Sequence, residues 1–248
     1  METEALYDRN AGIWSRNEPR SISDFTGRPA IFDLCGDVKG TRVLDLGCGE
    51  GYCSREMALR GADEVLGIDL STGMVEQARA REEIDRLGIR YRRGNVVRLE
   101  TESDRFDLVL AVFVFSYVTC EEMERAFREV RRVLAPGGRF VFAVPHPGLP
   151  FMREQRPPFY FDTRGGGYFS GQDERYSGAI ECIDGGALPV HLVHKPLESY
   201  FDALASAGFE RMPILRELRV LEAHLDARPE LFGPLADLPL HLALRVEG

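Results

Sequence analysis

Between residues 42 and 144 the chain switches repeatedly between two hydrophobic rhythms, and this switching constrains its fold more than any other feature. Arg42-Val43-Leu44-Asp45-Leu46 is a short apolar run ending at Gly47. Glu64 to Asp69, Ile89 to Arg93, Phe106 to Val112 and Arg139 to Val144 are four more such runs. Between them, Tyr52 to Arg60, Ser71 to Leu87 and Glu121 to Leu134 have helical character. Ser71 is placed to cap its helix, and Ala135-Pro136-Gly137-Gly138 stops the third one. The Leu-Val-Leu-Ala-Val centre of the fourth run suits a strand buried on both faces. Strands alternating with helices at this spacing are βαβ units with right-handed crossovers. Adding Glu210 to Leu218 and His241 to Val246 predicts an α/β fold with a doubly wound, mostly parallel, seven-stranded sheet.

The flanks break the rhythm. Residues 1–40 read as a helical N-terminal segment carrying Tyr7 and Trp14. Residues 145–194 are a Pro- and Gly-rich insertion dense in aromatics, expected to form a cap that ends in a hairpin. The hairpin runs Ser177 to Ile183, turns at Asp184-Gly185-Gly186 and returns from Leu188 to Val193. Loops of this length in compact domains are usually lids or binding elements. Residues 41–144 and 195–248 then make the core, helix Leu197 to Ala207 included, while 219–238 read as further cap or loop.

The first strand runs into Asp45-Leu46-Gly47-Cys48-Gly49-Glu50-Gly51. Glycines there let the backbone turn sharply and let a ligand lie against the main chain. Asp69 ends the second strand, 20 residues past Gly49, where a carboxylate can take both hydroxyls of a ribose. Together these mark a nucleoside pocket at the carboxyl ends of the strands. Tyr52 stands where a dinucleotide fingerprint needs its third glycine, and no P-loop pattern is present.

With Gly67-Ile68-Asp69-Leu70-Ser71, Gly94-Asn95-Val96, Phe106-Asp107-Leu108-Val109 and Val133-Leu134-Ala135-Pro136-Gly137-Gly138 in the same order and spacing, the chain resembles the class I S-adenosylmethionine-dependent methyltransferases, closely over residues 40–145. The resemblance implies a Rossmann-like fold with S-adenosylmethionine as cofactor and S-adenosylhomocysteine as product. It places Gly47, Gly49 and Gly51, with Asp45, around the methionine portion. Asp69 would take the ribose, and Leu70 and Val96 would flank the adenine. Asn95 stands where the family usually has Asp and would accept from the adenine amino group. Ala111 would offer its carbonyl to the ammonium. Tyr7 to Trp14 resembles the lid closing over the methionine end in small-molecule members.

Forty acidic against 31 basic residues give a net charge of −9, the wrong balance for gripping phosphate backbones. The family's amino-methylating nucleic-acid enzymes also carry a Pro-Pro motif after the fourth strand, absent from Ala111-Val112-Phe113-Val114-Phe115-Ser116-Tyr117. Five scattered cysteines without a C-x-x-C pair point to no metal. The start lacks a signal-peptide layout, and no apolar run nears the roughly 20 residues of a membrane span. Val144-Pro145-His146-Pro147 and His194-Lys195-Pro196-Leu197 resemble a subgroup of bacterial small-molecule methyltransferases, which implies an enzyme of secondary metabolism. A cytoplasmic protein with no nucleic-acid or membrane partner, able to pair as a homodimer, is the expectation. Its acceptor would be a small aromatic or heteroaromatic metabolite methylated on O or N, lined by Phe115, Tyr160, Tyr168 and Phe169. His146 is the candidate general base, with Tyr117 or His194 orienting the acceptor. Alternatives are a nicotinamide-dependent oxidoreductase, a non-catalytic binding protein of the same fold, and a protein methyltransferase.

Overall fold

A computed structural model of the chain describes residues 19–152 and 154–248. Two short helices, α1 (Ile22–Thr26) and α2 (Arg28–Cys35), lead into a seven-stranded sheet. Its strands are β1 (Arg42–Leu46), β2 (Glu64–Asp69), β3 (Arg90–Arg93), β4 (Phe106–Val112), β5 (Leu134–Pro145), β9 (Ile214–Leu218) and β10 (His241–Glu247). They lie in the order β3-β2-β1-β4-β5-β10-β9. Only β10 runs against its neighbours, so its first residue, His241, pairs with Pro145 at the carboxyl end of β5. The order reverses between β1 and β4, and there the carboxyl ends diverge to leave a crevice.

Helices α3 (Tyr52–Leu59), α4 (Thr72–Asp85), α5 (Cys120–Val133) and α7 (Leu197–Ser206) cover the sheet. Their starts are set locally. The Ser71 hydroxyl accepts from the Met74 N–H, and Thr119 and Glu122 form a reciprocal capping box on α5. α5 buries Met123, Ala126, Phe127, Val130 and Val133 on one stripe, while Glu121, Glu124 and Arg128 stay at the surface. Its stripe meets Phe140 and Phe142 of β5 around Phe115, the ring that closes this half of the core.

The insertion after β5 begins with the short helix α6 (Leu149–Met152). It then builds a three-stranded antiparallel sheet of β6 (Phe159–Asp162), β7 (Arg175–Glu181) and β8 (Ala187–Val193). The β7–β8 hairpin turns where the sequence places it, with Gly185 at φ 82° and the Asp184 carboxylate accepting from the Gly186 N–H. β6 is an added strand, read from sequence only as an aromatic stretch. Residues 219–238, read as further cap or loop, carry α8 (Glu222–Ala227), α9 (Pro229–Phe232) and a 3-10 turn at Gly233–Leu235. Leu231, Phe232 and Leu235 share one hydrophobic cluster with Phe159, Phe161, Ile180 and Ile22. Arg20 and Ser21 join the same assembly: the Arg20 carbonyl accepts from the Ile183 N–H, and its guanidinium pairs with Asp184 at 2.8 Å. The ninth strand is shorter than expected, beginning at Ile214 rather than Glu210. Tyr7 and Trp14 lie outside the described residues.

Candidate active site

The turn after β1 is built for close approach. Gly47, Gly49 and Gly51 all have positive φ, at 65°, 55° and 91°. A Cβ on Gly47 would lie 2.7 Å from Val114, so no side chain fits. A Cβ on Gly49 would meet nothing within 4 Å, because its backbone faces open space. Asp69, at the end of β2, accepts from the Gly49 N–H with one oxygen and from the Ser71 N–H with the other, both at 2.9 Å. Asp45 is buried behind the turn and accepts from the Ser54 hydroxyl at 2.6 Å. Burial pushes its carboxyl up to about 7, against the Ser54 hydrogen bond, which favours the ionised form.

Asp45, Gly47, Gly49, Asp69 and Ser71 line one cavity of about 350 Å³, within the range of small-molecule sites. Leu70, Asn95, Val96 and Val97 form its wall beside Asp69. Phe159, Phe161, Ile180 and Val190 of the cap sheet, with Tyr117, Phe113 and His241, line the rest of it. Phe113 stands at φ 66°, a conformation that a bulky residue rarely adopts. Its N–H is held by the Ala143 carbonyl at 2.8 Å and its own carbonyl by the Ser116 hydroxyl at 2.6 Å. The turn aims its ring at His241, 5.0 Å away, and beneath the guanidinium of Arg28. Arg28 is itself buried and ion-paired to Asp24.

Residues 43–138 match the profile of a methyltransferase domain. The crystal structure of an S-adenosylmethionine dependent methyltransferase from Mesorhizobium loti is similar to this chain over most of its length. It is 30% identical, with 89% of this chain and 96% of that one covered and a TM-score of 0.68. The chain belongs to the S-adenosylmethionine-dependent methyltransferases. Two curated relatives of this methyltransferase chain match over shorter lengths. A ubiquinone biosynthesis O-methyltransferase from Alkalilimnicola ehrlichii is 34% identical over 147 residues, 56% of this chain and 58% of that protein. A demethylmenaquinone methyltransferase from Lactococcus lactis is 32% identical over 123 residues, 48% of each. The match thus spans about half the length of these curated relatives.

The residues of this methyltransferase fit the cofactor. The open backbone at Gly49 is a cradle that a side chain there would fill, and the Asp69 carboxylate, which lines the cavity, is pre-oriented by two backbone donors. Leu70, Met74 and Val96 give an apolar wall for a purine. Other predicted residues fall elsewhere. Gly51 is set back against Tyr91, whose hydroxyl a Cβ would meet at 2.4 Å, so its role is to let β3 approach α3. Ala111 is buried within the sheet, and the chain faces the cavity only from Val112 onward. The Asn95 amide oxygen already accepts from the Val97 N–H at 3.1 Å, a local turn that leaves its NH2 group and a second lone pair for a ligand.

Of the three proposed acceptor-side residues, only Tyr117 reaches the cavity. Both ring nitrogens of His146 are engaged: Nε2 lies 3.1 Å from the Glu217 carboxylate and Nδ1 accepts from the Gly148 N–H. Its ring ties the end of β5 to the edge strand β9 and does not line the cavity. His194 is enclosed by Phe151, Tyr168 and Tyr176, with Nε2 on the Tyr168 carbonyl at 2.7 Å. Burial lowers the pKa of both imidazoles. Phe115 is core. Tyr160 lies on the opposite face of β6 from Phe159 and Phe161, since a one-residue change of phase reverses a strand's faces. The Tyr168 hydroxyl accepts from the Leu197 N–H at the start of α7, and Phe169 is 70% exposed away from the cavity. Sequence reading missed Phe113 and His241, and among the aromatics of the insertion it singled out Tyr160, Tyr168 and Phe169 where Phe159 and Phe161 line the cavity. The signal for His241 was present: the first residue of an antiparallel last strand arrives at the carboxyl ends of the parallel ones.

Proposed function

We propose that the protein transfers a methyl group from S-adenosylmethionine to an oxygen or nitrogen of a small aromatic or heteroaromatic acceptor. One observation carries the reading: the cofactor-motif residues Gly47, Gly49 and Asp69 and the apolar residues Phe159, Phe161, Ile180 and Val190 of the cap sheet line one and the same cavity. The family match supports the cofactor half. The two curated relatives, named for ubiquinone biosynthesis and for demethylmenaquinone, support a small-molecule acceptor.

Bound S-adenosylmethionine supplies an electrophilic methyl group on a sulfonium. The transfer would break that C–S bond as the C–O or C–N bond forms, with S-adenosylhomocysteine as the leaving group and the acceptor's proton passing to bulk water. The chain's part is orientation and exclusion of water. Asp69 and the glycine turn fix the nucleoside. Asp45 sits where its carboxylate can face the ligand's ammonium. Phe113, Phe159 and Phe161 hold a flat acceptor and keep the site dry.

The test is calorimetric titration with S-adenosylmethionine, S-adenosylhomocysteine and NAD, repeated on Asp69→Ala. Binding of both adenosyl ligands at about −8 kcal/mol, weakened at least about tenfold by the substitution and absent for NAD, is the expected outcome. Binding of NAD without S-adenosylhomocysteine would overturn the cofactor half. A screen with methyl-labelled cofactor over aromatic hydroxy and amino compounds tests the other half, and label appearing only on proteins would overturn it.

A further inference from the structure

His241 has a property that the other residues of the acceptor end lack. It is fully buried, yet its Nδ1 has no hydrogen-bond partner. Native structures rarely leave such an atom unfilled. Which proton the ring carries follows from its neighbour. The Thr26 hydroxyl donates its single proton to the Ile22 carbonyl at 3.0 Å, and the His241 Nε2 lies 3.3 Å from the same hydroxyl oxygen. With the proton on that carbonyl, the oxygen accepts from Nε2–H, which puts the lone pair on Nδ1. The Nε2–Cδ2 edge is closed by the junction of α1 and α2, where a Cβ on Gly27 would come within 3.1 Å of Cδ2. The Nδ1–Cε1 edge faces away from that junction. The ring lines the cavity between Phe113 at 5.0 Å and Phe159 at 5.7 Å.

We propose that His241 reads the methyl acceptor, its Nδ1 lone pair accepting a hydrogen bond from an O–H or N–H carried by an aromatic ring held against Phe113 and Phe159. This rests on the small-molecule methyltransferase reading and adds to it the chemical handle by which the acceptor is chosen. Burial, with Arg28 and His146 adding to it, pushes the imidazole down to about 3. It therefore stays a neutral acceptor at any physiological pH and positions its ligand without taking a proton. A site built to hold a donor group discriminates strongly against analogues without one, because the buried acceptor is then left unpaired. His194 also has an unpartnered Nδ1 but lies outside the cavity.

The experiment uses protein labelled with 15N-histidine and saturated with S-adenosylhomocysteine. Phenol, aniline and anisole are the probes: two aromatic rings with a donor, and one whose oxygen has none. Phenol or aniline is expected to move the Nδ1 resonance of His241 and to bind about tenfold tighter than anisole. His241→Phe is expected to remove that preference and leave S-adenosylhomocysteine affinity within about threefold of the parent. Equal binding of the three probes, no binding of phenol or aniline, or a preference that survives His241→Phe would overturn the proposal. Failure of the native protein to bind S-adenosylhomocysteine, seen before any probe is added, would instead count against the cofactor reading. The 15N measurement is made on the native chain, so it stands even where the variant does not fold.

Discussion

Asp45 and Gly47 lie two residues apart at the end of one strand, and each has a measurable signature. The folded protein holds the Asp45 proton up to about pH 7, whereas an unfolded carboxyl releases it near 4. Without ligand the fold therefore loses stability as pH rises through that window, and Asp45→Asn is expected to flatten the loss in thermal melts. Ligand binding runs the other way. If the carboxylate faces the ammonium of S-adenosylhomocysteine, affinity rises about tenfold per unit up to pH 7 and then levels off. A pH-independent affinity would remove Asp45 from that role. Gly47→Ala places a methyl group against Val114 at a positive φ. A loss of about 1–3 kcal/mol in urea unfolding is expected, with weakened S-adenosylhomocysteine binding. Both residues could be read from sequence because the turn that uses them is continuous in the chain. His241 and Phe113 are harder to read, His241 because its signal lies in the direction of a strand and not in a local motif. The site takes the first from an antiparallel last strand and the second from a strained turn at a residue with no glycine to announce it.

Elements that carry their own punctuation were legible too. The capping box and apolar stripe of α5 and the Gly-rich turn of the hairpin are local signals. β6 has no such signal: four residues pair with a strand that begins 13 positions after β6 ends, and only tertiary packing selects them. The hairpin's attachment to the core was equally hidden. Lys195 is buried just after β8, and its ammonium donates to the Val118 and Val193 carbonyls, joining the cap to the turn that follows β4. Burial lowers its pKa to about 8, against about 10.4 in an unfolded chain. The unfolded state binds more protons between these values, so Lys195 makes the fold more stable as pH rises from 8 toward 10, opposite in sign to Asp45. Lys195→Met is expected to abolish that rise and to speed proteolytic cutting within residues 163–174, with S-adenosylhomocysteine affinity unchanged. Unchanged cutting rates would show that the attachment is held elsewhere.

At the level of the whole molecule, three stretches far apart in sequence complete one hydrophobic cluster: Ile22, the cap strands, and the α8–α9 segment. Phe232 is 2% exposed within it and edge-on to Phe25 at 6.2 Å. Phe232→Ala is expected to cost about 3 kcal/mol and lower the melting temperature by roughly 10 °C, whereas a loosely packed satellite would lose far less. The sheet order followed from the alternation of strand and helix, but this cluster did not, because no local pattern links residue 22 to 161 or 232. The same cluster limits how the acceptor end can be altered. A chimera that exchanges only the insertion, residues 146–194, for that of another enzyme would inherit half a core and leave Leu231 and Phe232 facing mismatched partners. Changes of acceptor in this scaffold come most readily through substitutions on the inner face of the cap sheet, or through exchange of all three stretches together.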